Sequence, residues 1–74
     1  MYYFIDFIDN DYIGDLYQSS SSGDTYIGYV DVRKKQVSIL VECISMVDLD
    51  TIGERVSRLL QSEAKYNVIT IYDF

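Results

Sequence analysis

An α+β fold is predicted, with an antiparallel or mixed sheet of four to five strands and one helix packed on one face. Three observations predict it. Short runs of β-branched and aromatic residues alternate with polar ones. Two such runs flank a four-residue charged turn, RKKQ at 33–36. After residue 48 the apolar spacing changes from two to three and four. The element order reads β-(β)-β-β-α-β, in one domain spanning residues 1–74.

The first strand is YYFIDFI, residues 2–8. Tyr3, Ile5 and Phe7 share one side, and Tyr2, Phe4, Asp6 and Ile8 the other. The first side is the core candidate, because an unpaired Asp6 would be costly to bury. Asn10–Asp11 suits a tight turn, since both residue types tolerate left-handed backbone. YIGDLY, residues 12–17, is either a short return strand or an irregular extension. SSSSG, residues 19–23, reads as a five-residue loop.

TYIGYVDV (25–32) and VSILVECI (37–44) then form a hairpin. Strict alternation puts Tyr26, Gly28, Val30 and Val32 on one side, with Thr25, Ile27, Tyr29 and Asp31 opposite. In the second strand Val37, Ile39, Val41 and Cys43 oppose Ser38, Leu40, Glu42 and Ile44. Leu49, Ile52, Val56, Leu59 and Leu60 make one apolar helix face. Thr51 and Glu54 match a capping box, with Asp48 and Asp50 as competing starts. Gly53 falls either in the first turn or at a close contact with the sheet. The helix is expected to end near Ala64–Tyr66, and NVITIY, residues 67–72, supplies the last strand.

The composition excludes several functions. A chain that is 49% hydrophobic can form a core, so disorder is not expected despite a net charge of −6. No apolar run is long enough to span a bilayer. MYYFIDFID lacks the positive region and unbroken apolar run of a secretory signal, so a cytoplasmic setting is expected. The lone Cys43 has no partner for an internal disulfide and suits a small core position. Without histidine, a glycine-rich phosphate loop or a metal-ligand cluster, neither an enzyme nor a cofactor nor a zinc site is expected. Asp9, Asp11 and Gly14 match three positions of an EF-hand loop, but Ile13 and Ser20 stand where further ligands belong. RKK at 33–35 could touch phosphates, yet the acidic majority opposes direct nucleic-acid binding.

Charge is unevenly distributed along the chain. Residues 1–31 hold Asp6, Asp9, Asp11, Asp15, Asp24 and Asp31 and no base, whereas residues 32–74 hold six acids and six bases. The acidic part should repel nucleic acid and attract basic surfaces. If the strand continued through Asn10, Asp9 and Asp11 would stand ~6.7 Å apart on one side, close to a phosphate step. A turn at Asn10 would instead gather Asp6, Asp9, Asp11 and Asp15 near one edge. Tyr12 and Tyr17 are the candidate packing residues beside these six aspartates. One helix covers only one side of such a sheet, so the other is either solvated or meets a partner, a second copy included.

The chain length, the acidic first 31 residues and the wording MYYFIDFIDNDYIG resemble small phage-encoded host-takeover proteins. Within that group the chain is similar to phage inhibitors of the bacterial replication sliding clamp, one kind of which occupies the clamp's DNA channel. The resemblance implies a cytoplasmic, non-catalytic inhibitor that mimics DNA on a basic host protein. It is carried by no motif, so it transfers no site residue. Gln18 and Gln61 lack the aliphatic and aromatic context of a clamp-binding peptide, so the channel is the expected target. The alternative is a small dimeric accessory module, held to its partner by apolar and tyrosine contacts.

Overall fold

A computed structural model describes residues 2–72. Five strands form one mixed sheet in the order β1-β2-β3-β4-β5: β1 (Tyr2–Asp6), β2 (Ile13–Ser20), β3 (Gly23–Asp31), β4 (Gln36–Leu40) and β5 (Asn67–Ile71). The first three pairings are antiparallel, and β5 runs parallel to β4. A 3-10 helix (Val41–Met46) and α1 (Ile52–Leu59) make the crossover that a parallel pair requires. The α+β class and the single sheet-packed helix are as the sequence predicts.

The second run is a full strand. β2 reaches Ser20, so the expected five-residue serine loop contracts to a two-residue turn at Ser21–Ser22. Gly23 (φ 121°) takes the left-handed geometry that closes it. Serine composition suggested a loop; pairing of Ser19 with Tyr2 and with Asp24 overrides that preference.

The VSILVECI strand is shorter than expected. It leaves the sheet at Leu40, and VECISM coils into the 3-10 helix. Its residues have strand propensity, but β5 must enter at the same end as β4, so the chain has to turn back. Cys43 is buried in the core, as expected. The helix is also shorter, ending at Leu59 rather than near Ala64–Tyr66. Gln61 adopts φ 55°, Ser62 N–H donates to the Ser57 carbonyl, and Gln61 N–H donates to that of Arg58. This is a Schellman ending with glutamine in the position glycine prefers. The Ser57 hydroxyl lies 2.7 Å from the Ala64 carbonyl oxygen and 2.9 Å from that of Ser62, anchoring the exit.

At its start, the Thr51 side chain makes no capping bond. Asp48 organises this turn instead: its carboxylate accepts the Asp50 N–H, and its carbonyl accepts those of Thr51 and Ile52. Gly53 lies in the first turn and also meets the chain leading into β5. A Cβ there would overlap the Tyr66 carbonyl oxygen.

The core lies between the sheet and the two helical segments. Tyr3, Leu16, Val30, Val37 and Ile39 pack against Cys43, Val47, Ile52 and Val56. Ile5 packs at its margin, and Phe7 lies over Gly14, so the first strand's core side is the expected one. The Cα radius of gyration of 11.3 Å matches the ~11 Å of one compact unit of this length.

Alternation fails at one point in β3. Leu16 pairs with Gly28 but Tyr17 pairs with Tyr26, so Ile27 is an extra residue. This bulge lets Ile27 enter the core and turns Tyr26 to the opposite side of the sheet from Gly28 and Val30. The expected grouping of Tyr26 with Gly28 is therefore corrected. Gly28 is required here because a Cβ would overlap the Ser38 carbonyl oxygen of β4.

Candidate functional site: an acid-flanked aromatic face

Both helical segments pack on one side of the sheet, and among the described residues no element covers the other. Cross-strand register assigns the side chains of this open face. Phe4, Tyr17 and Tyr26 stand in one row across β1, β2 and β3. The Phe4 and Tyr17 rings stack at 5.0 Å, and Tyr17 meets Tyr26 edge-on at 5.7 Å. Tyr2 extends the row, its ring 6.2 Å from that of Phe4. Such contacts hold each ring in one orientation.

The next row contains Asp6 directly opposite Asp15, followed by Tyr29. A recess beside it is lined by Asp6, Ile8, Asp9, Asn10, Ile13 and Asp15. One further step along the strands, Ile13 pairs with Asp31. Asp6, Asp9, Asp15 and Asp31 therefore gather at one end of the sheet. The chain turns at Asn10, whose side-chain oxygen accepts the N–H groups of Tyr12 (2.9 Å) and Ile13 (2.7 Å). The turn gathers the aspartates instead of spacing Asp9 and Asp11 along a strand.

The other predicted residues are placed differently. Asp11 is exposed in the 7–12 loop. Asp24 lies at the opposite end of the sheet, where it accepts the Ser19 hydroxyl at 2.7 Å. Tyr12 lies beneath Arg33, whose guanidinium carbon is 3.6 Å from the ring centre. Tyr17 is half-buried within the aromatic row. Asp31 caps the following turn by accepting the Lys34 N–H at 3.1 Å.

Separation of charge along the sequence does not become separation in space. The β3–β4 turn carries Arg33, Lys34 and Lys35 to the aspartate-rich end, tied there by a bond from Val32 N–H to the Tyr12 carbonyl. Asp6, Asp9, Asp15 and Asp31, with Asp11 in the adjoining 7–12 loop, thus share that end with three bases. They are nevertheless not neutralised pairwise: among the described residues the one ion pair is Arg58–Glu54, at 2.7 Å on α1. Nearby, burial pushes the Tyr66 hydroxyl above its usual pKa, and the Asp31 carboxylate adds to the rise.

Phe4 and Tyr26, central to the row, were absent from the sequence-derived candidates, as were Tyr2, Ile13 and Ile69. The last three are 59%, 38% and 41% exposed. The signal that could have found Tyr26 is Gly28, since glycine inside a strand pattern marks a bulge. Gly14 lies within β2, not in a helix-flanked loop, so the partial EF-hand pattern has no matching backbone. Among the described residues no helix is long and apolar enough to cross a membrane. Comparison with protein-family models, curated proteins and solved structures gave no match.

Proposed function

We propose that this chain is a non-catalytic binding protein whose open sheet face engages a basic protein surface of the kind that holds DNA. The observation that carries the reading is the adjacency of two rows: Phe4, Tyr17 and Tyr26 beside Asp6 and Asp15, on a face that no element among the described residues covers. Carboxylates attract lysine and arginine, while ring faces accept a guanidinium. The Arg33–Tyr12 contact is an example of that second pairing within the chain itself. The same charge opposes direct binding of nucleic acid. With three bases near the aspartates, the rings must supply part of the affinity, and full imitation of a phosphate backbone is not required.

The resemblance to phage inhibitors makes a replication sliding clamp the first partner to test, with its DNA channel as the site. Surface plasmon resonance against a purified bacterial clamp is the direct assay, run at low and high salt. Binding should weaken with salt. Substituting Asp6, Asp9 and Asp15 by asparagine should abolish it, and Tyr26→Ser should weaken it, while Asp24→Asn leaves it nearly unchanged. Unchanged affinity in the triple variant would remove the acidic-face reading for any partner that binds.

A second reading is favoured by the exposed Ile13, Ile69 and Tyr2 on the same face. In it, the chain is an accessory module or homodimer joined through apolar and tyrosine contacts. Self-association would set the Asp6–Asp15 rows of two copies close together, so it should strengthen with salt. Sedimentation velocity at two salt concentrations separates the readings.

A further inference from the structure

The geometry points to a second site, a recess at the β1 edge of the sheet that binds a small oxyanion carried on an aromatic body. The recess, about 260 Å³, is lined by Tyr2, Tyr3, Arg55, Arg58 and Leu59. It lies at the opposite end of β1 from Asp6 and shares only Tyr2 with the aromatic row.

Two features set it apart from the rest of this acidic chain. It brings together two guanidiniums, and its walls are apolar. The Arg55 guanidinium lies over the Tyr3 ring, 4.7 Å from the centre. A contact with a ring face uses none of the guanidinium's N–H donors in a conventional hydrogen bond, so they remain for a ligand. Among the described residues Arg55 has no carboxylate partner. Arg58 commits Nη2 to Glu54 and retains its other donors. Glu54 balances one of the two cations, so the group carries a net positive charge.

The walls identify the remainder of the ligand. Tyr2 is 59% exposed and Leu59 is 49% exposed. Leu59 belongs to the apolar helix pattern, yet it is not buried in the core. With Tyr2 it offers two apolar surfaces beside the guanidinium edges. An aromatic ring would cover that apolar surface, and a phosphate or carboxylate on it would meet the arginines in the bidentate geometry both anions share. The volume is below the ~300–1,000 Å³ of sites for drug-sized ligands, so the occupant is small.

The test is a titration of the full chain, followed by amide NMR shifts, with phenyl phosphate, benzoate and inorganic phosphate as separate probes. Saturable shifts at Tyr2, Tyr3, Arg55 and Leu59 are expected with one or both aromatic anions. Inorganic phosphate should bind at least about tenfold more weakly, a difference of ~1.4 kcal/mol. Whichever aromatic probe binds more tightly shows which of the two anions the recess prefers. Arg55→Gln should weaken binding by about tenfold or more. Arg58→Gln, at a well-exposed position where folding is not at issue, should weaken it by a smaller factor. Absence of saturable shifts, equal binding of inorganic phosphate, or unchanged affinity in both arginine variants would overturn the assignment.

Discussion

Asp6 and Asp15 face each other directly across the β1–β2 pairing, and neither has an ion-pair partner among the described residues. Replacing Asp15 by asparagine removes one charge of the pair at nearly constant shape. Two unit charges ~5 Å apart repel by about 0.8 kcal/mol at the dielectric constant of water. Directly opposed cross-strand pairs contribute ~0.2–1 kcal/mol. Asp15 is half-buried and Asp6 exposed, so a gain of about 0.5–1 kcal/mol is expected. In a domain of this size that raises the melting temperature by roughly 2–6 °C. Thermal melts followed by circular dichroism should show the gain at low salt. They should show it reduced by half or more in ~1 M NaCl, where the screening length falls to about 3 Å. Asp6→Asn should behave alike, and the double variant should gain less than the sum of the two. A variant that melts at or below wild type, or keeps its full gain in high salt, would refute the repulsion. Stabilisation accompanied by weaker partner binding is the signature of residues retained for function at a cost in stability.

Other perturbations test the frame that holds this face. Gly28→Ala drives a Cβ into the Ser38 carbonyl and should cost about 2–3 kcal/mol in urea unfolding, with the β3–β4 amides losing exchange protection first. Gln61→Gly relieves a left-handed residue at the end of α1 and should stabilise by about 1 kcal/mol in the same assay. Ser57→Ala removes the one hydroxyl proton shared by the Ser62 and Ala64 carbonyls, of which Ala64's keeps the Ser62 hydroxyl at 3.3 Å, and should cost ~1 kcal/mol. The Tyr66 pKa is raised in the folded state, so folding favours its neutral form. Its contribution is therefore complete below the unfolded value of ~10 and is lost as pH rises through the higher folded value. Ultraviolet titration should show one tyrosine ionising late, and Tyr66→Phe should remove both that phase and its share of the alkaline destabilisation.

Part of the candidate site was legible in the residues themselves. Alternation in YYFIDFI separated Tyr3 and Ile5 from Tyr2, Phe4 and Asp6, and the sheet preserves that separation. The Asn10 turn was legible as well, because its side chain bonds amides two and three residues ahead, within a local segment. The alternation of 25–32 misplaced Tyr26, since a bulge is defined by what lies across the strand pair and not by the strand's own residues. The acidic residues were legible as a group in sequence, and a turn at Asn10 already implied the meeting of Asp6, Asp9 and Asp15; the places of Asp24 and Asp31 were not legible. Asp24 and Asp31 share a strand, and the strand carries them to opposite ends of the sheet.

The sequence alone determined the α+β class, the β3–β4 hairpin, one amphipathic helix and a total charge that disfavours nucleic acid. These depend on periodicity and composition, which act over a few residues or sum over the whole chain. Tertiary structure decided which rings form a row, which aspartates meet, and that Arg33, Lys34 and Lys35 return beside them. It also stopped the fourth strand at Leu40 and the helix at Leu59. The physical reason is that register, bulges and crossovers are set by pairing between segments far apart in the chain, where a one-residue shift moves a side chain from one side of the sheet to the other.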